Sequence, residues 1–392
     1  MSALRHGPRL SNKLLTFAAL KKTTNILPLN FWGITDAGKP LLIAGPCSAE
    51  SELQVRETAR QLVELQVHIF RAGIWKPRTR PDSFEGVGKK GLGWLKKVKH
   101  ETGMLVATEV ANRQHVLQAL DAGIDVLWIG ARSTANPFTV QEIADALENS
   151  GVMVLVKNPV NPEINLWIGA IERLNQAGIT KIAAVHRGFS TYEKTEYRNK
   201  PIWQIPIDLM QQMPNIPVIS DPSHICGNRN IINVLQNAID LNYAGFMIEV
   251  HHDPDHALSD AQQQITPDEL QKILLSLQNK KLKTDNQEFI HLLQSLRQKI
   301  DNLDDQLMEV LKERMLIAEN IGTLKTANSI TILQPDRWQE ILDRARKTAL
   351  DINLNPDFIE KVFSAIHEES INRQKLKMND GINVSELKTG QP

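Results

Sequence analysis

Four residues far apart in the chain, Cys47, His224, Glu249 and Asp260, could offer one sulfur, one nitrogen and two oxygens to a single divalent ion. That mixed donor set suits a borderline cation such as Mn, Fe, Co or Zn, with one coordination position left for a substrate. A second group is cationic. Arg71 to Arg80 holds four cations in ten residues, Arg71, Lys76, Arg78 and Arg80, and Pro77 stiffens the backbone between two of them. A rigid loop of this kind suits a compact dianion such as a phosphate or a carboxylate-phosphate. A solvated basic loop is the plain alternative. His251, His252 and His256 are rival ligands, but adjacent strand side chains point to opposite sides, which casts them as loop residues. Cys226, two residues past His224, reads as a bystander thiol.

These residues need elements to bring them together. From residue 40 onward eight short apolar runs alternate with amphipathic stretches: Leu41–Ala44, Val67–Phe70, Met104–Ala107, Val126–Ile129, Met153–Val156, Ile182–Val185, Pro217–Ile219 and Ala244–Ile248. The stretches between them carry apolar residues at spacings of three and four, as in Glu52 to Leu65 and Gln141 to Leu147, and glycines such as Gly103, Gly123, Gly151 and Gly178 stand where helices would stop. Continuous apolar strands separated by helices predict a parallel (β/α)8 TIM barrel, an α/β fold. Seven of the eight runs are followed by a charged residue or a histidine, namely Arg71, Glu109, Arg132, Lys157, Arg187, His224 and Glu249, and the first run by Cys47. The C-terminal strand ends of such a barrel share one mouth, and chemistry sits there.

At 392 residues the chain is long enough for two domains, and 42% hydrophobic with 23% charged residues is ordinary globular composition. A formal charge of zero gives no nucleic-acid footprint, and no apolar run is long enough to cross a bilayer. Two cysteines are too few for a disulfide framework and fit a reducing, cytoplasmic location. Residues 1–35 carry Arg5, Arg9, Lys13, Lys21 and Lys22 without an acid and read as a flexible or accessory arm. The expected organisation is arm 1–35, barrel 36–278, polar linker 279–285, a small all-α helical domain 286–378 and a tail 379–392.

Gly45-Pro46-Cys47-Ser48, Lys76-Pro77-Arg78-Thr79, Gly130-Ala131-Arg132 and Asp221-Pro222-Ser223-His224, with Glu249 and Asp260, resemble the type I 3-deoxy-D-arabino-heptulosonate 7-phosphate (DAHP) synthase family over about residues 32 to 275. The resemblance implies a metal-dependent condensation of phosphoenolpyruvate with erythrose 4-phosphate to DAHP and phosphate, the first step of the shikimate pathway. It implies that the metal, on Cys47, His224, Glu249 and Asp260, polarises the aldehyde oxygen. Arg71, Lys76, Arg132, Lys157 and Arg187 would hold phosphoenolpyruvate, and Pro77, Arg78 and Thr79 the sugar phosphate. Lys76 would also protonate the aldehyde oxygen, and Glu109 would position the attacking water. A sister family, 3-deoxy-8-phosphooctulonate synthase, uses arabinose 5-phosphate and has an Ala-Asn-Arg-Ser-type loop where this chain has Pro77-Arg78-Thr79. A sugar-phosphate binding barrel without catalysis is a further alternative.

Beyond Asp260 the pattern changes. Thr266 and Pro267 open a last barrel helix through Leu277. From Phe289 to Leu324 there is no proline, and apolar residues recur at three and four. That predicts one helix of roughly 55 Å, whose stripe needs a partner such as the same helix of another chain. Pro335 and Pro356 start two more helices, running to Leu350 and to about Lys375. Arg297, Arg314 and Lys325, spaced 17 and 11 residues apart, with Arg337, Ser370 and Gln374, resemble the all-helical chorismate mutases over about residues 286 to 376. This implies a homodimer that rearranges chorismate to prephenate: arginines fix two carboxylates, Lys325 and Gln374 stabilise charge on the ether oxygen, and Arg297 serves the partner's site. The chain departs from that family at Gln334 and Trp338, where the family has acids, and Glu340 is the candidate substitute. A dimerisation or effector-sensing module that binds chorismate or prephenate and adjusts the barrel is the alternative.

Overall fold

The structure is a computed structural model that describes residues 24–35, 39–76, 84–193, 195–278, 280 and 284–385. The chain divides into two compact units, Met1–Leu282 and Lys283–Pro392.

The first unit is a closed barrel of eight parallel strands, each paired with its neighbours in sequence order and the last with the first. The strands are β1 (Leu41–Gly45), β2 (Ile69–Arg71), β3 (Leu105–Val110), β4 (Val126–Ile129), β5 (Met153–Lys157), β6 (Ile182–His186), β7 (Val218–Ser220) and β8 (Gly245–Glu249). Each lies on an apolar run of the sequence, because a strand covered on both faces has no use for polar alternation. The two faces still separate by parity. Leu41, Ile43, Ile69, Ala107, Val126, Trp128, Leu155, Ala183, Val185, Ile219 and Met247 fill the barrel interior. Leu42, Ala44, Phe70, Val106, Leu127, Val154, Ala184 and Ile248 face the surrounding helices.

Inward parity, carried one pleat further, names the mouth. Gly45, Arg71, Glu109, Gly130, Lys157, Arg187, Asp221 and Glu249 follow the interior residues at steps of two. The interior is oily below and ionic at the C-terminal rim. The opposite end is sealed by the segment before β1: Trp32 is buried in the interior cluster with Leu27, Leu29 and Ile34 against it, and the Leu27 amide donates to the Thr180 carbonyl. The arm expected over 1–35 is thus, from residue 24 on, part of the barrel, since an open barrel floor would leave Leu41 and Ile69 in water. Residues 1–23 lie outside the described residues.

His186, at the end of β6, is fully buried, with Nε2 donating 2.6 Å to the Pro201 carbonyl and Nδ1 accepting from the Tyr243 hydroxyl at 3.0 Å. Burial pulls its pKa down to about 4. An unfolded histidine protonates near 6.5, so between these values the unfolded chain holds the extra proton and stability falls as pH falls. The first unit is expected to lose about 3 kcal/mol to this group between pH 7 and pH 4. His186→Gln, measured by urea unfolding at both pH values, is expected to flatten that part of the slope. An unchanged slope would remove the assignment.

Among the described residues the second unit has three helices, Gln287–Ala327, Pro335–Asp351 and Pro356–Ser385. Asn286 caps the first through the Phe289 amide, and prolines stand in the opening turns of the other two. Phe289, Leu292, Leu296, Ile300, Leu303 and Leu307 stay exposed along the 41-residue first helix. Gly322 lets it approach the third: a Cβ there would stand 2.9 Å from the Gln374 Cα. No helix among the described residues is long and apolar enough to cross a membrane.

Candidate functional site

Cys47 lies two residues beyond β1, and its amide is fixed by the Gln264 Oε1 at 2.9 Å. Its thiol donates to Asp260 Oδ2 at 3.1 Å and accepts from Lys76 Nζ at 3.0 Å. Cys47, Glu249 and Asp260 offer ligand atoms all within 4.8 Å of one another. His224 stands beside them, Nδ1 3.8 Å from Glu249 Oε1, outside that tight group. Its Nδ1 is 3.0 Å from Asp221 Oδ1, and a carboxylate in this state only accepts, so Nδ1 carries the proton and Nε2 keeps its lone pair for a cation. Asp221 also caps the short helix Pro222–Cys226 through the His224 amide, which fixes the histidine at the β7 end.

The cluster fits a divalent cation. Glu249 Oε1 is buried without a hydrogen bond, and a thiol and two carboxylates gather their ligand atoms within 4.8 Å of one another. Burial and the Glu249 charge push the Cys47 thiol up to about 12. Burial raises the Glu249 carboxyl, but His224, Arg71 and Lys76 outweigh it and hold the group ionised. Asp260 sits at φ +48°, a left-handed conformation costly for a non-glycine residue, and Arg198 grips its Oδ1 at 3.0 Å.

Arg71 is the anion-seeking counterpart. It is 1% exposed, its Nη2 reaches Glu249 Oε1 at 3.2 Å, and its guanidinium lies 4.8 Å over the Trp128 ring. Its Nε and Nη1 are buried without a partner. Lys76 is held at its amide by the Glu85 carbonyl at 2.8 Å. Burial opposes its charge, but Cys47, Glu109 and Glu249 outweigh burial, and its pKa is raised. Arg187, half-buried, donates to Asn199 Oδ1 at 2.9 Å, and burial lowers its pKa to about 10, still cationic at neutral pH. Lys157 Nζ lies 2.7 Å from Asp221 Oδ2, which takes one of its three donors. Arg132 lies exposed just past β4. Pro77, Arg78 and Thr79 lie outside the described residues.

Glu109 Oε2 accepts from the Trp128 indole at 3.1 Å, while a Cβ at Gly130 would stand 2.2 Å from Glu109 Oε1. Gly130→Ala is therefore expected to displace the Glu109 carboxylate and slow turnover on the order of 10- to 100-fold with metal content unchanged. A wild-type rate would show that the Glu109 position is immaterial. Sequence reasoning gave no role to Asp221, Arg198 or Gln263. Gln263 donates to Glu249 Oε2 at 2.6 Å and accepts from Arg198 at 2.7 Å, but both residues sit in irregular loops, where no periodicity points to them.

The second unit has a cavity of ≈ 270 Å³ lined by Arg314, Lys325, Arg337, Ser370 and Gln374, with Gln334, Trp338 and His367 also on its wall. Arg314 donates to the Ser370 hydroxyl, and Lys325 to the Ile332 carbonyl. Arg297 is exposed, about 25 Å along the helix from Arg314 and away from this cavity. Glu340 is not on the cavity wall; it is exposed and pairs at 2.8 Å with Arg337, which is.

Residues 32–286 match the DAHP synthetase I family and residues 296–375 match chorismate mutase type II. A phospho-2-dehydro-3-deoxyheptonate aldolase of Thermotoga maritima is 35% identical over 225 residues, 57% of this chain; the chain spans 64% of that relative. A 2-dehydro-3-deoxyphosphooctonate aldolase of Desulfotalea psychrophila is 30% identical over 269 residues, 62% of this chain and 91% of the relative. A crystal structure of the Thermotoga DAHP synthase superposes with a TM-score of 0.55 at 31% identity, covering 61% of this chain and 68% of that one. An eight-stranded parallel barrel with an ionic C-terminal rim agrees with these matches, and the chain belongs to the DAHP synthetase I family and carries a chorismate mutase type II domain after the barrel.

Proposed function

We propose that the barrel condenses phosphoenolpyruvate with erythrose 4-phosphate to DAHP and phosphate, and that the helical unit converts chorismate to prephenate. The observation that carries the first half is the pair of unpartnered Arg71 donors beside the Cys47–Glu249–Asp260 cluster. A buried guanidinium with two open N–H groups asks for a bidentate anion, and the carboxylate or phosphate of phosphoenolpyruvate supplies one. Arg187 and Arg132 complete the anion cradle. Lys157, through its ion pair, holds Asp221 and so the His224 ring. Lys76 carries its proton next to the metal cluster, where an aldehyde oxygen becoming alkoxide would take it. Glu109 orients the water that attacks the enol-derived carbon. Cys47, His224, Glu249 and Asp260 would hold a divalent cation, which would supply Lewis acidity at the aldehyde oxygen.

The mutase reading rests on a cavity with three cations and no carboxylate on its wall, which suits a dicarboxylate. Homodimerisation through the exposed stripe of the long helix would bring the partner's Arg297 to that cavity. Binding of chorismate or prephenate there would also be the route to feedback on the barrel, and a buried free thiol suits a reducing cytoplasm.

One assay tests the set. Phosphoenolpyruvate is supplied with erythrose 4-phosphate or arabinose 5-phosphate, before and after chelation and reloading, with and without prephenate, and chorismate consumption is followed separately. Turnover of the four-carbon aldehyde alone, lost on chelation and restored by a divalent ion, is the expected result. Consumption of arabinose 5-phosphate alone would transfer the assignment to the octulonate reaction. Folded protein that leaves chorismate untouched but binds it would make the helical unit a sensor.

A further inference from the structure

The wall of the helical cavity contains a residue to which neither reading above gives a part. His367, on the third helix, stacks on Trp338 of the second with ring centroids 4.0 Å apart and planes 10° from parallel. The stack fixes the imidazole, and its Nε2 is buried without a hydrogen-bond partner. Burial, with Arg314 and Lys325 nearby, lowers its pKa, so the ring is neutral at pH 7 and keeps one lone pair. The other polar groups are mostly donors. Arg314, Lys325 and Arg337 cannot accept, and the Ser370 hydroxyl is spent between Arg314 and the Ile366 carbonyl. Gln374 is assigned to donate to a ligand oxygen. The amide oxygens of Gln334 and Gln374 are the other neutral acceptors on the wall, and Gln374 Oε1 is likewise buried without a partner, so the imidazole is one of three places where a donated proton can go.

We propose that His367 is a specificity-determining, ligand-contacting residue of this cavity, its Nε2 accepting a hydrogen bond from the hydroxyl of a hydroxylated cyclohexadiene dicarboxylate. The inference rests on the chorismate-binding reading of the helical unit. Two carboxylates satisfy the cations, but a hydroxyl also brings a proton that needs a lone pair. In a cavity walled by cations an imidazole provides one without a negative charge. Trp338 then has a job: it holds the ring in place from the position at which a carboxylate would otherwise have stood.

The test is a two-by-two comparison on the full chain by titration calorimetry. The ligands are prephenate and the same dicarboxylate lacking its hydroxyl; the proteins are wild type and His367→Phe, which keeps the stack and removes the nitrogen. Losing the bond is expected to weaken the hydroxylated ligand about 10-fold and to leave the deoxy ligand within about two-fold. His367→Gln, which returns an acceptor, is expected to recover part of the preference, and it also serves if the phenylalanine variant does not fold. Equal losses for both ligands, or no loss, would overturn the assignment while leaving the cavity as the binding site. A wild type that binds neither ligand would overturn the assignment together with the reading beneath it.

Discussion

Cys47→Ala is expected to leave the barrel folded but without bound metal, and to lower DAHP formation on the order of 10³-fold or more, since Lewis-acid stabilisation is worth several kcal/mol. The thiol is the only sulfur in the cluster and the residue through which the others meet: Asp260 accepts from it, Lys76 donates to it, and its amide is tied to Gln264. Removing it deletes one of the proposed ligands and leaves Glu249 and Asp260 facing each other with less to hold them. Metal content of the purified variant, measured with its turnover, decides the matter. Cys226→Ala is the control and is expected to keep metal and rate near wild type. Chorismate consumption should be untouched by either variant, because that cavity lies wholly in the second unit. Since the thiol is pushed up to about 12 in the absence of a cation, metal uptake must expel its proton. Affinity is accordingly expected to rise with pH across the neutral range in wild type and in the Cys226→Ala control. A metal-replete, active Cys47→Ala variant would end the proposed chemistry.

Arg71 should give the second largest effect, and its two replacements separate stability from binding. Arg71→Met leaves Glu249 buried without its cation, which costs about 3–5 kcal/mol and should appear as a lowered thermal midpoint for the barrel. Arg71→Lys keeps a charge near Glu249 but loses the planar fork and the open N–H pair. Each charged hydrogen bond lost is worth roughly 1.5–3 kcal/mol, so kcat/KM for phosphoenolpyruvate is expected to fall roughly 10²- to 10⁴-fold with the metal retained. The loss should fall on phosphoenolpyruvate and spare the KM of the aldehyde. A lysine variant with wild-type kcat/KM would mean that the open donors face no substrate.

Much of this was legible in the chain because a parallel barrel writes its plan simply. Strands covered on both sides are unbroken apolar runs, and a charge at the next inward step, as at Arg71, Glu109, Lys157 and Glu249, has nowhere to be but the rim. Local signals also carried: Thr266 and Glu269 form the capping box that opens the last barrel helix, as Thr266 and Pro267 suggested. The supports of the site were hidden. Arg198 and Gln263 act through loop geometry, and Asp221 through a ring nitrogen three residues on. The stack of Trp338 on His367 joins two helices across 29 positions of chain, which no periodicity reports. Gln334 and Trp338 were visible as departures, but the neighbour that makes sense of Trp338 was not.

The plug formed by Trp32 and its neighbours bears on any attempt to excise the catalytic half. A fragment trimmed to begin at Leu41 would contain every rim residue and still be a tube with no base, its lower side chains wetted and ready to stick to another copy. A usable excision has to start upstream of Ile26, which is itself buried. The minimal autonomous catalyst is thus set by a peptide at the far pole from the reaction, one that touches no substrate and yet decides whether the vessel holds.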